Sequence, residues 1–120
     1  MNGYWLIALM LLSISQFSYA ATPEKEINHL IDFVAKSDAV FIRNGTEHSS
    51  QDAAEHLAMK YRKATRYAKT AEKFIENLAS KSSWSGKPYK VRFSDGTLIN
   101  AKDWLSNELA DYRRSQHRQQ

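Results

Sequence analysis

Along this 120-residue chain the spacing of apolar positions changes abruptly several times, and each change marks a different element. The first run, YWLIALMLLSISQF at 4–17, is apolar almost throughout. From Thr22 onward the spacing becomes helical: Thr22 suits an N-cap, Pro23 the first helical position, and Ile27, Leu30, Ile31 and Val34 recur on one face. That helix is expected to fail near Ser37-Asp38. AVFIR at 39–43 is branched and aromatic, which predicts a short strand stopped by the Asn44-Gly45 turn signal.

Ser49 with Asp52 three residues later resembles a capping box and opens a second helix. At about 100° per residue, Ala53, Leu57, Tyr61, Ala64 and Ala68 share a packing face, while Arg62, Lys63, Arg66 and Lys69 share a solvated one. A break at Thr70 precedes a third stripe of Ala71, Phe74, Ile75, Leu78 and Ala79. SKSSWSGKPY at 80–89 has loop composition. YKVRF (89–93), Ser94-Asp95-Gly96 and TLI (97–99) then read as a hairpin. Asn100 with Asp103 starts a last helix bearing Trp104, Leu105, Leu109 and Tyr112, and the polar tail 113–120 is expected to fray. The pattern predicts an α+β fold, mostly helical with about four helices, a small antiparallel sheet and no internal repeat.

Composition sharpens the compartment. The small residues around Ser18-Tyr19-Ala20 behind the apolar run read as a secretory signal cleaved after Ala20, although the leading MNG carries no lysine or arginine. The run is shorter than the roughly 20 apolar residues of a membrane span, so no stable anchor is expected after cleavage. Residues 21–120 then form one small periplasmic domain. The chain has no cysteine, which excludes disulfides, thiolate metal sites and a lipoprotein anchor. A 42% hydrophobic, 25% charged composition argues against disorder. The net charge of +4 attracts anions mildly, and secretion argues against a nucleic-acid partner for the basic face interleaved with Tyr61 and Tyr67.

Candidate chemistry is sparse. Glu-His occurs at Glu47-His48 and Glu55-His56, which raises a metal reading. Two helical histidines so spaced would lie about 12 Å apart along the axis, while zinc ligands sit about 2 Å from the ion. The pairing would require His48 to precede the helix and fold back, and a third ligand is still missing, so no metal or cofactor is assigned. Asn44-Gly45-Thr46 matches a glycosylation sequon, but a turn explains it better. SGKP at 85–88 lacks the rest of a phosphate loop. Ser82, Ser83 or Ser85 would need His48 or His56 as base to act as nucleophiles. Glu108 lies about 40° from Trp104, within an apolar stripe, which implies a carboxyl that holds its proton more strongly than usual, a buried cationic partner such as arginine, or a carboxylate reaching solvent at the edge of the stripe.

FIRNGTEHSS (41–50), AAEHLAMKYRKA (53–64), TAEKFIENLAS (70–80) and SSWSGKPYKV (82–91), in this order behind a signal peptide, closely resemble the YfeK-like family of small secreted proteobacterial proteins, a domain of unknown function. Carried over position by position, the resemblance marks Arg43, Asn44, Gly45, Glu47, His56, Lys60, Thr70, Ser83, Gly86, Lys87 and Tyr89. It implies an envelope location and a shared fold, and no activity. The ligand-binding candidates are therefore Arg43, Asn44, Glu47, His56, Lys60, Ser83, Lys87 and Tyr89, and the catalytic candidates Glu47, His48 and His56. The expected function is non-enzymatic binding of an anionic or polar envelope component or protein. The alternative is a small hydrolase with a Glu or His general base.

Overall fold

The computed structural model describes residues 21–119; the expected signal segment lies outside them. The fold is α+β and mostly helical, with four α-helices and a four-stranded antiparallel sheet among the described residues. Helix α1 (Pro23–Lys36) starts as the pattern predicts: Thr22 Oγ1 accepts a hydrogen bond from Lys25 N and Pro23 takes the first turn. Its Ile27, Leu30 and Val34 have no exposed surface. Helix α2 (Ser50–Lys63) is capped by Ser49, which accepts from Asp52 N, and Ser50 Oγ donates to Ala35 O to tie α2 against the end of α1.

Strand β1 (Val40–Arg43) is followed by β2 (Thr46–His48), a strand absent from the sequence reading. Asn44 and Gly45 take φ of 52° and 77°, so the pair forms a tight two-residue hairpin turn rather than a connection to the helix cap. Thr46, Glu47 and His48 carry little apolar signal. Pairing to β1 alone makes them a strand. Strands β3 (Lys90–Arg92) and β4 (Leu98–Asn100) complete the order β2-β1-β3-β4. Phe41 lies opposite Val91 and His48, and Val91 opposite Ile99. Because side chains alternate along a strand, Phe41, Arg43, Val91 and His48 share the face turned to the helices, whereas Ile42 and Glu47 share the other.

Between α2 and the third helix the chain breaks, as the Thr70 signal predicts. A 3₁₀ turn at Thr65–Tyr67 brings Ala68 into the core, and Thr70 Oγ1 then accepts from Lys73 N to cap α3 (Ala71–Phe74). The chain continues as a π turn, Ile75–Ala79. Helix α4 (Ala101–Arg118) follows β4 without a linker, and Asn100 caps it with no side-chain hydrogen bond. The segment expected to fray after Tyr112 stays helical through Arg118. Arg113 supplies a reason, since its guanidinium spans the carboxylates of buried Glu26 on α1 (2.7 Å and 3.0 Å) and Glu72 on α3 (2.8 Å and 2.9 Å). Those ion pairs raise the Arg113 pKa, and its hydrogen bonds lower that of Glu72.

Phe74, Leu105 and Val91 close the core between the helices and the inner sheet face. Trp104 packs beside Phe33, Phe41 and Phe93, with ring centroids 4.7, 5.6 and 5.7 Å away. Glu108 has a cationic-capable partner, but it is His29 (2.6 Å) and not an arginine; the imidazole stacks on Tyr112 at 4.0 Å.

Candidate functional site

The alternation that buries Phe41 also aims Arg43 and His48 toward α2. Along α2, Ala53, His56, Leu57 and Lys60 fall at helical spacing on the side facing the sheet. Tyr89, just before β3 and 6% exposed, comes in from the far side, and Ala79 of the π turn closes the back. These side chains enclose a hollow of about 340 Å³ including its mouth, apolar at its base (Phe41, Ala53, Leu57, Ala79) and bordered by Arg43, His48, His56 and Tyr89.

A wider depression opens outward from it, lined by Arg43, His56, Lys60, Ser82, Ser83, Trp84 and Tyr89. Arg43, His56 and Tyr89 belong to both, so the two form one cleft. The outer wall is the 80–89 loop, pinched by the Lys81 and Pro88 bridge. Buried Ser82 organises it: its Oγ accepts from Trp84 N, Ser85 N and Asn44 Nδ2, all at 3.2 Å. Ser85 Oγ donates to Asn44 Oδ1, so the β1–β2 turn and the loop are clasped together. Gly86 takes φ of 75°, which any L side chain adopts with strain, and thereby reverses the loop. Trp84 is left 90% exposed at the lip.

The electrostatics of the cleft are one-sided. None of the side chains lining either part is acidic. Arg43 has no ion-pair or side-chain hydrogen-bond partner among the described residues. Lys60 is only 9% exposed, and its Nζ donates to Tyr89 Oη at 3.3 Å while sitting 5.3 Å from that ring's centroid. A phenol is a weak substitute for a carboxylate. Burial first, and then Arg43, draw the Lys60 pKa below the usual lysine range. Burial also raises the Tyr89 pKa, against the opposing pull of Arg43. His56 is held down to about 4, by burial first and then by the positive fields of Arg43, Lys60 and His48. At neutral pH its imidazole is therefore uncharged.

The candidates named from sequence divide clearly. Arg43, His48, His56, Lys60, Ser83 and Tyr89 meet in the cleft. Asn44 does not line it but holds its wall. Glu47 points from the opposite sheet face and pairs with Arg92 at 2.5 Å, because one residue along a strand reverses the side. Lys87 is exposed and lines neither part of the cleft, its backbone serving the loop through Ser82 N and Ser85 Oγ. Thr70 caps α3, and Arg62, Lys63, Arg66 and Lys69 remain solvated, with Arg66 laid over Tyr67.

His48 folds back beside His56 as a metal reading would require, but no group of three metal-ligating side chains occurs among the described residues. No hydrogen bond among them joins His48 or His56 to Ser82, Ser83 or Ser85. Trp84 and the small apolar floor went unread in the sequence. For Lys60 a signal was present, since it follows Leu57 by three positions and so falls on the buried stripe.

Comparison with known proteins places the chain in a family and adds no activity. Residues 21–113 match the model of a family of unknown function, DUF5329. The chain is 38% identical over 85 residues to the uncharacterized protein YfeK of Salmonella typhimurium strain LT2, covering 70% of this chain and 71% of that protein. No solved structure matches. The chain therefore belongs to the DUF5329 family and is similar to YfeK.

Proposed function

We propose that this protein is a non-enzymatic binding module that captures an anionic ligand in the cleft between β1–β2, α2 and the 80–89 loop. One observation carries the reading: Arg43 and buried Lys60 converge on a concave surface whose lining contains no carboxylate. Placing two cations in a partly desolvated site is costly, and proteins ordinarily pair buried charge with its opposite. A bound anion supplies that counter-charge and relieves the repulsion. His56, held neutral, offers it a directional hydrogen bond without adding a third charge.

The hydrolase alternative keeps His48 and His56 on the cleft, but Glu47 faces away and the Ser82 oxygen is engaged by three N–H donors. A periplasmic setting is part of the proposal, supported by the apolar run at 4–17 and the small residues up to Ala20. There the ligand would be an envelope component bearing a negative group.

The test is an NMR titration of residues 21–120 with sulfate, phosphate and acetate, following the His56 ring and Tyr89 signals. Saturable shifts confined to the cleft, and lost in Arg43→Gln with its thermal midpoint retained, are expected. Linear, non-saturating shifts with every anion would overturn the reading.

A further inference from the structure

Resting on that anion-binding reading, we infer that the cleft is built for a carboxylate carried on a short apolar group, such as the C-terminus of a peptide ending in a small residue or a free short-chain acid. The inference follows from the order in which the chemistry is layered. Arg43 borders both the apolar base and the polar outer part, so an anion held on its fork lies at the boundary between them. A carboxylate is planar and matches the two parallel N–H donors of a guanidinium. The atom bonded to it is carbon, and that carbon's substituent can turn directly onto Phe41, Ala53, Leu57 and Ala79.

A phosphate fits this layering less well. Its oxygens are disposed tetrahedrally, and near neutral pH a monoester approaches two negative charges. One face of such a group would be stripped of water against four apolar side chains with nothing to replace it. The single planar charge of a carboxylate leaves both oxygens directed at Arg43, Lys60 and the neutral His56 ring.

Size sets the other limit. Only about 20 Å³ of the inner hollow is open to the centre of a water-sized group, a little more than the roughly 10–15 Å³ that one water needs. Alanine at both 53 and 79 leaves the floor what room it has, and a larger side chain at either position would fill it. A single methyl group is accommodated, and an aromatic ring is not. Outside, Ser83 and the exposed Trp84 ring border the path along which a longer ligand would leave the cleft.

The probes are propionate, N-acetyl-alanyl-alanine, its C-terminal amide, N-acetyl-alanyl-phenylalanine and inorganic phosphate, each titrated into residues 21–120 at pH 7 and low salt. His56 and the methyl groups of Ala53, Leu57 and Ala79 report by NMR. Saturable binding of the dipeptide acid is expected, with at least a tenfold loss for the amide and for the phenylalanine ligand. The methyl shifts should accompany the His56 shift. Ala79→Leu, which fills the floor and leaves Arg43 and Lys60 untouched, should weaken the dipeptide at least tenfold.

Tighter binding of the dipeptide than of propionate by tenfold or more identifies a peptide terminus, and equal binding a free acid; either supports the inference. Phosphate binding as tightly as both carboxylates overturns the carboxylate assignment while leaving an anion site. Binding of the amide as tightly as the acid overturns it as well. Failure of all five probes overturns this inference and the anion reading together.

Discussion

His56 provides the most direct quantitative test of the cleft's electrostatics. Its pKa falls from an ordinary 6.5 to about 4, with burial the largest cause and Arg43, Lys60 and His48 adding to it. The direction of the linkage follows from which state takes up the proton first. Above about pH 6.5 the imidazole is neutral in both folded and unfolded chains, and it costs the fold nothing. As the pH drops from 6.5 toward 4, the unfolded chain is protonated and the folded one is not, so stability is lost across this window; below about 4 the loss is complete.

A fall of about two and a half pH units corresponds to at most about 3.5 kcal/mol at about 1.4 kcal/mol per unit. The ring is only partly buried and its neighbours' fields are screened, which reduces the expected loss to about 1–2 kcal/mol. The assay is urea unfolding of residues 21–120 and of His56→Gln at pH 7.5, 5.5 and 4.0, taking the difference between the two proteins at each pH so that other titrating groups cancel. That difference should move against the wild type by about 1–2 kcal/mol between the first and last values. An NMR titration should show the His56 ring protonating near 4. A midpoint near 6.5 in the folded protein, or a difference that does not change with pH, would refute the picture of a positively biased, partly dry cleft.

Other expectations follow from single contacts. Arg113→Ala strands the buried Glu26 carboxylate and should cost about 2–4 kcal/mol in urea unfolding; adding Glu26→Gln to it should recover part of that loss, and equal effects of the single and double variants would show that the stranded carboxylate is not the source of the cost. Thr70→Ala removes the N-cap of α3 and should lower stability by about 1 kcal/mol, whereas Thr70→Ser should change it little. Gly45→Ala, at φ of 77° with open space around the missing Cβ, should cost about 1 kcal/mol through the backbone alone and should leave anion titrations unchanged. Phe74→Ala should destabilise by about 3–5 kcal/mol, since the ring is fully enclosed; a loss under 1 kcal/mol would mean that the core collapses around the gap.

The helices were legible because their apolar spacing and caps are local properties. Thr22, Ser49 and Thr70 announce three starts, and Ile27, Leu30 and Val34 a buried face, whatever those faces pack against. Strand β2 was not legible, since Thr46–His48 becomes a strand only by pairing with β1 across the Asn44-Gly45 turn. The same limit applies to the end of α4, where helix persists beside the contacts that Arg113 makes with residues 87 and 41 positions away in sequence.

The site divides along that line too. Residue types at Arg43, His56, Lys60 and Tyr89 marked possible chemistry, and the resemblance grouped them, but the grouping also included Glu47 and Lys87, which lie elsewhere. Only the pairing register separates Arg43 and His48 from Glu47, because alternate side chains on a strand point to opposite faces. Sequence alone determined the helices, the turn and the absence of thiol chemistry. Tertiary structure decided which charges share a cleft, because proximity between α2, the β1–β2 hairpin and the 80–89 loop is a property of their packing and not of any one segment.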